Sequence, residues 1–220
     1  MTDALTVVVL ALVGYRIFGG ARLLARRDVR AHVLEIVRGL RLRHFLLALP
    51  VLTVVIVVAS GLVLVPGLSW GWWSAIGGVG TPVFGVSNNT AGSPLEWIIP
   101  TVFVIMLVPA LPLFAESEER MFRQGAENWS PARRVRRAVE FGLVHALVGI
   151  PIGVALALSI GGGYFIWAYL RGYRQGDDIL VNPDDDNRRR QAQGVMASTC
   201  AHLAYNLTIV MIVGLALLLG

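Results

Sequence analysis

The sequence predicts an all-α protein, a polytopic transmembrane bundle of six to eight helical elements with no sheet. Of the 220 residues, 55% are hydrophobic and only 15% are charged, whereas a soluble domain carries about 25% charged residues. The mean hydropathy is +0.66. The apolar residues also come in runs close to the roughly 20 residues that cross a bilayer. We therefore expect a single membrane-embedded domain over residues 1–220.

The N-terminal half predicts two spans joined by a basic linker. Residues 4–19 are mostly apolar, and we expect a retained helix because no basic residue precedes them and no small-residue cleavage site follows. Residues 22–43 place seven arginines among apolar residues, which predicts an amphipathic cytoplasmic linker in the membrane interface. A strongly apolar span follows at 44–66. Residues 67–94 are rich in Gly and Trp and hold no Lys or Arg, as in an outer-face loop or short interfacial helix.

The C-terminal half predicts an apolar span at 95–114, which Pro109 and Pro112 would kink. Residues 139–170 have arginines at both ends, so the chain has to turn back within them. A short helix, a break near Pro151 and a Gly-rich second helix would achieve this.

A polar stretch and a final apolar run complete the chain. Residues 176–194 are polar and predict a solvated loop, and residues 195–219 predict the last span.

The arginines predict how the protein lies in the membrane. All 19 basic residues are arginine, and all but one fall within residues 22–43, 120–137 and 171–190. Arginine clusters beside apolar runs obey the positive-inside rule, so these segments should face the cytoplasm. We expect no nucleic-acid partner, because the net charge of +5 is explained by these clusters. A lysine-free composition is typical of a GC-rich bacterium, which predicts a multi-pass protein of the bacterial inner or plasma membrane.

The stretch AESEERMFRQG, residues 115–125, places five charges directly after an apolar span. On a helix, Glu116 and Arg120 are four residues apart, as are Glu119 and Arg123, and each pair has the favourable Glu-first order. Glu118 is left without a helical partner. A carboxylate beside apolar positions at membrane depth is suited to act as a general base.

Few other strongly polar residues interrupt the apolar segments, and these few are functional candidates. His145 lies in FGLVHALVGI, and His202 lies one helical turn before Asn206 in CAHLAYNLTIV. Each histidine alone is explained as a packing residue. Together with Glu118, these residues form a candidate set on three separate apolar segments. The single cysteine, Cys200, excludes an internal disulfide and a cysteine-rich metal site.

Three short motifs in the chain resemble those of a known family. EERMFR, FGLVH and HLAYN resemble the EExxxR, FxxxH and HxxxN motifs of the CPBP intramembrane peptidase family, which includes the CAAX prenyl endopeptidases and bacteriocin-processing or immunity-type proteins. The motifs begin at Glu118, Phe141 and His202. The resemblance covers about residues 112–210, the motif-bearing core, and the first hundred residues match only as generic spans.

The resemblance implies a role for each motif residue. Glu118 would activate a water as general base, and His145 would help to hold and polarise it. His202 and Asn206 would stabilise the oxyanion of the tetrahedral intermediate. The supporting residues implied are a second, orienting carboxylate, an arginine that anchors it and the aromatic residue that opens FxxxH: Glu119, Arg123 and Phe141.

The expected function is therefore that of a membrane-embedded, glutamate-dependent endopeptidase. It would hydrolyse a peptide bond of a peptide or membrane-protein substrate near the cytoplasmic face, with the lipid bilayer as its surroundings and without a cofactor or metal. A zinc-dependent peptidase is an alternative, although HExxH is missing and an amide is a poor zinc ligand. A non-catalytic scaffold, immunity or transport protein is another, although a transporter would favour paired halves that the sequence does not show.

Overall fold

The computed structural model describes residues 2–72, 92, 94–175 and 183–219. These residues form seven α-helices and two 3₁₀ turns and contain no strand, which confirms the predicted all-α class and number of elements. The α-helices are α1 (Thr2–Leu24), α2 (Arg27–Gly39), α3 (Leu42–Leu62), α4 (Leu95–Arg123), α5 (Pro131–Val144), α6 (Ile152–Arg174) and α7 (Pro183–Leu219). The 3₁₀ turns are Ala126–Asn128 and His145–Val148.

Three stretches among the described helices are long and apolar enough to cross a membrane: Leu42–Leu62, Ile152–Arg174 and Asp185–Leu215. In the most apolar 18-residue stretch of each helix, only 17% is buried in α3, against 50% in α6 and 56% in α7. The centre of the bundle is therefore α6 and α7, and α3 lies at its edge. The outward side chains of α3 include Ile56 and Val57, both more than half exposed. An apolar face of this kind is compatible with lipid rather than water.

Glycines bring the central helices close together. A Cβ atom added at Gly162 of α6 would lie 2.9 Å from the carbonyl oxygen of Ala138 in α5. One added at Gly194 of α7 would lie 2.9 Å from the ring of Tyr169 in α6. Small residues at such contacts let helix backbones approach closely, which is the usual way that helices pack within a membrane. The candidate residues on α5 and α7 are thereby held against the same face of α6.

The predicted polar loop at 176–194 is wrong over its second part, because α7 begins at Pro183. Residues 183–194 are polar but helical. Proline suits the first turn of a helix, and the carboxylates of Asp185 and Asp186 complement the positive end of the helix dipole. Contacts with α6 also stabilise this turn: the Tyr173 hydroxyl donates to Asn187 Oδ1 at 3.0 Å, and Arg190 Nε donates to the Tyr173 carbonyl at 3.3 Å.

The other helices in the first half of the chain lie where the sequence predicted them, but two of them, α1 and α4, extend beyond their predicted ends. The predicted helix at 4–19 runs to Leu24, and α2 occupies most of the amphipathic linker. Helix α4 continues through Pro109 and Pro112 and through the charged stretch as far as Arg123. The predicted 67–94 loop lies largely outside the described residues.

The predicted break between α5 and α6 is confirmed. Helix α5 ends at Val144, and the left-handed Gly149 (φ 93°) closes the 3₁₀ turn that follows. Pro151 then caps the start of α6. The chain therefore reverses direction at the position where the sequence placed the turn.

The three arginine-rich segments meet at one end of the bundle. Gln191 Nε2 of α7 donates to Glu127 Oε1 at 2.6 Å, and the Tyr169 hydroxyl of α6 donates to Glu127 Oε2 at 2.8 Å. Arg43, at the start of α3, lines the same cleft as Arg171, near the end of α6. This arrangement agrees with the expectation that the basic segments share one side.

Candidate active site

The candidate residues come from four helices. The last two turns of α4 carry the two glutamates and Arg123, the end of α5 carries Phe141 and His145, and the middle of α7 carries His202. Helix α6 contributes Phe165, whose ring contacts both Phe141 and His202. Helix packing therefore brings the three predicted motifs to one place.

A buried polar triad lies at the centre of the site. His202 Nδ1 is 2.9 Å from Glu119 Oε1, and Arg123 Nη1 is 3.3 Å from the same oxygen. Glu119 and Arg123 have no exposed surface, and His202 is 3% exposed. The predicted Glu119–Arg123 pair is confirmed, but it is a core interaction rather than a surface one. Because a carboxylate oxygen only accepts hydrogen bonds, His202 Nδ1 is the donor.

Aromatic rings surround the Arg123 guanidinium. Its central carbon lies 4.0 Å from the centre of the Phe141 ring, 5.3 Å from Phe165 and 5.6 Å from Phe122. None of its nitrogens has an aligned hydrogen bond within the described part of the chain. The Arg123 guanidinium is therefore stabilised by its ion pair with Glu119 and by cation–π contacts. Cation–π attraction is strongest where water is excluded.

The imidazole of His202 is held between two phenylalanine rings. It stacks on Phe165 with centroids 4.3 Å apart and meets the edge of Phe141 at 5.6 Å. Nδ1 is hydrogen-bonded to Glu119, and the other ring nitrogen, Nε2, lies 3.8 Å from Glu118 Oε2. That distance is too long for a direct hydrogen bond and is suited to a group that bridges the two atoms.

His145 caps the end of α5, and its position fixes its tautomer. Its Nδ1 lies 2.7 Å from the carbonyl oxygen of Phe141 and must donate to it. In the neutral ring, Nε2 is then an acceptor. His145 lies outside the three apolar helices, and burial lowers its pKa while the charge of Glu118 opposes that shift. The neutral form is therefore favoured, and Glu118 is near enough to act on the ring.

Glu118 differs from the carboxylates on either side of it. Its side chain is 34% exposed, yet its Oε2 atom is buried and has no hydrogen-bond partner among the described residues. Arg120 does not contact it but pairs with Glu116 at 2.7 Å, as the four-residue spacing predicted. Glu116 is also bonded to His32 of α2 at 2.7 Å. Glu118 is thus the one glutamate of the stretch without a salt-bridged arginine in the described structure.

Asn206 occupies the predicted position one turn after His202 on α7 and is half-buried. Its amide makes no hydrogen bond to the described residues, so no hydrogen bond joins it to Glu118 or to either histidine. An amide NH₂ in this position remains available as a donor.

Two aromatic residues of the site were missed by the sequence reasoning. Phe165 packs on His202 and Arg123, and nothing in its local sequence distinguishes it from other apolar residues of α6. Tyr205 meets the edge of Phe165 at 5.6 Å, and its buried hydroxyl has no hydrogen-bond partner in the described part of the chain. The sequence did hold a signal for Tyr205. It lies three residues after His202, which places both side chains on one side of α7.

Within the described residues, no group of three or more His, Cys, Asp or Glu side chains is arranged to hold a metal ion. Comparison with protein-family models, with curated proteins and with solved structures found no match to this chain.

Proposed function

We propose that the protein is an intramembrane endopeptidase in which Glu118 activates a water molecule. The observation that carries the proposal is the contrast between two adjacent glutamates. Glu119 is engaged by Arg123 and His202, whereas Glu118 presents a buried oxygen that has no hydrogen-bond partner among the described residues, lies 3.8 Å from His202 and acts electrostatically on His145. One carboxylate thus serves to hold the site together, and the other is available for proton transfer.

In the proposed first step, Glu118 takes a proton from a water, and the oxygen of that water bonds to the carbonyl carbon of the peptide. The acceptor nitrogen of His145 holds the second hydrogen of the same water and orients its lone pair. The electron pair of the C=O double bond moves onto the carbonyl oxygen and forms the oxyanion. Glu118 then returns its proton to the amine nitrogen as the C–N bond breaks, which yields a carboxylic acid and an amine.

The developing oxyanion needs donors that are already in position. His202 directs Nδ1 to Glu119, so its Nε2 is the ring atom that faces Glu118, and it would contact the oxyanion as an N–H donor when both ring nitrogens carry hydrogen. Asn206 can supply an amide N–H from one turn further along α7. Stacking between Phe165 and His202 restricts the ring orientation, so the donor direction is set before the substrate binds.

The proposed location is the bacterial inner or plasma membrane, with the site opening towards the cytoplasm. His202 is eight residues beyond Gly194, or about 12 Å along the helix. Gly194 packs on Tyr169 at the arginine-rich end of the bundle. The site would therefore lie below the membrane surface on the arginine-rich side, and a peptide or a segment of a membrane protein is the proposed substrate. Cysteine labelling in a Cys200→Ser background tests this orientation, because a cysteine at position 80 should react only from the outer face.

The decisive variant is Glu118→Gln, which keeps the side-chain shape and removes the base. Membranes containing the wild type or this variant should be compared by quantitative mapping of new peptide termini, with Glu140→Gln as the control. Glu140 lies on the same helix as Phe141 but is one-third exposed and pairs with Arg136 at 2.7 Å and with Arg137 at 2.8 Å, neither of which is a candidate residue. We expect cleavage products that are present with the wild type and with Glu140→Gln and absent with Glu118→Gln. If all three proteins give the same termini while folding normally, the non-catalytic alternative is correct.

A further inference from the structure

A second concave site lies on a face of α6 and α7 that adjoins the candidate active site. It is a cleft between the first turns of α3, the end of α6 and the middle of α7. Its polar and aromatic lining consists of Arg43, His44, Tyr164, Trp167, Arg171 and Gln175, and no Asp or Glu lines it. None of the candidate catalytic residues lines this cleft.

The cleft concentrates hydrogen-bond donors and positive charge. Neither Arg43 nor Arg171 has a carboxylate partner in the described structure, and the Arg171 guanidinium lies 5.4 Å from the centre of the Trp167 ring. His44 Nδ1 accepts a hydrogen bond from the backbone N–H of Arg41 at 3.1 Å. The hydrogen of the neutral His44 ring is therefore on Nε2, which can donate. Two guanidinium groups and an imidazole N–H form a donor set suited to the oxygens of a phosphate.

The position of the cleft indicates the source of that phosphate. Arg43 lies in the first turn of α3 and Arg171 in the last turn of α6, at the same end of two helices that are apolar and long enough to span a membrane. Trp and Tyr beside basic residues are typical of headgroup depth. Basic pockets between membrane helices bind anionic lipid headgroups. We propose that this cleft binds the phosphate of an anionic phospholipid, with the acyl chains lying along the exposed face of α3.

The proposed lipid would act on the helices that hold the catalytic histidine. Tyr164 directly precedes Phe165, and Ala201 directly precedes His202, so both helices contribute one face to the cleft and the next face to the active site. A ligand that bridges α3 to α6 therefore stabilises the native arrangement by mass action, in proportion to its affinity.

The test uses the full-length protein in a neutral detergent and titrates phosphatidylglycerol, phosphatidylcholine or inorganic phosphate. Bound lipid is counted by native mass spectrometry, and the thermal unfolding midpoint is followed in parallel. Phosphatidylglycerol should bind at one saturable site and raise the midpoint, and phosphatidylcholine should do neither. This comparison requires no variant. Equal binding of the two lipids, or equal stabilisation by inorganic phosphate, would show that the proposed lipid specificity is wrong.

Two matched double variants locate the site. Arg43→Gln/Arg171→Gln removes both guanidinium groups from the cleft, whereas Arg30→Gln/Arg38→Gln removes the same charge from the exposed face of α2. Each arginine near an anionic headgroup strengthens lipid binding by up to about tenfold. Because the cleft variant lacks two arginines, it should bind phosphatidylglycerol about 10- to 30-fold more weakly. The α2 variant should bind almost as the wild type does. Equal losses in both variants would mean that the general surface charge, not the cleft, attracts the lipid.

The lipid proposal and the catalytic proposal fail separately. Glu118→Gln should bind phosphatidylglycerol as the wild type does, because Glu118 does not line the cleft. Loss of lipid binding in that variant would contradict the assignment of the lipid to a separate site.

Discussion

Replacing Arg123 by methionine should destabilise the protein strongly, because it leaves the Glu119 carboxylate buried without its cation. Both side chains are fully buried, and the pair is separated by 3.3 Å. Removing one partner of a buried ion pair costs about 3–5 kcal/mol. The contact between Arg123 and the Phe141 ring at 4.0 Å contributes up to about 2 kcal/mol where water is excluded. Because these contributions are not additive, we expect a total loss of about 4 kcal/mol in the free energy of unfolding.

The double variant Glu119→Gln/Arg123→Met separates this mechanism from a simple loss of packing. If the unpaired carboxylate is the main cost, removing its charge as well should restore about 2 kcal/mol or more relative to Arg123→Met alone. Denaturant titration in mixed detergent micelles measures each free energy, and a constant dependence on denaturant verifies that the same transition is observed.

The matched control for this prediction is Arg120→Met, on the same helix. Arg120 also pairs with a glutamate four residues earlier, but its side chain is 52% exposed. Exposed pairs contribute about 0–1 kcal/mol, so Arg120→Met should be nearly neutral. The reasoning is refuted if Arg123→Met costs no more than Arg120→Met, or if the double variant is less stable than Arg123→Met alone.

Three further predictions concern catalysis and packing. Asn206→Ala should lower turnover about 10²- to 10³-fold with little change in substrate binding, measured by steady-state cleavage, because an oxyanion donor is lost; unchanged turnover with a lower unfolding temperature would make Asn206 a packing residue. Cleavage should survive stringent chelation, whereas stoichiometric zinc whose removal abolishes cleavage would favour the metallopeptidase alternative. Gly194→Ala should destabilise by about 1–3 kcal/mol in denaturant titration, because its Cβ meets the buried Tyr169 ring at 2.9 Å; Gly163→Ala, which meets nothing within 4 Å, is the control and should not destabilise.

The parts of the fold that the sequence predicted well depend on local pattern. Long apolar runs predict membrane-grade helices, and Pro151 with the residues before it predicts a chain reversal, since both signals act within a few residues. The two glutamate–arginine pairs of α4 follow from helical spacing alone. What spacing could not predict is that one of these pairs is exposed and the other is fully buried, because burial depends on where α5, α6 and α7 pack.

The start of α7 shows how long-range contacts outweigh local composition. Residues 183–194 are as polar as a solvated loop, and composition alone predicted one. Helix formation there is supported by bonds from Asn187 and Gln191 to Tyr173 and Glu127, which are distant in the sequence. The helical start signal of Pro183 followed by acidic residues was present in the sequence. The loop prediction was based on polarity alone, which distinguishes surface from core but does not distinguish helix from loop.

The difference between Glu118 and Glu119 arises from helix geometry and not from residue type. Successive residues on an α-helix point about 100° apart, so two adjacent glutamates cannot face the same surroundings. In this bundle one direction leads to Arg123 and His202 in the core, and the other leads to a partly exposed position beside His202. The buried partners account for Glu119 fully and leave Glu118 without a structural role of comparable strength. This difference is why we propose a chemical role for Glu118 and not for Glu119, and the Glu118→Gln comparison tests it directly.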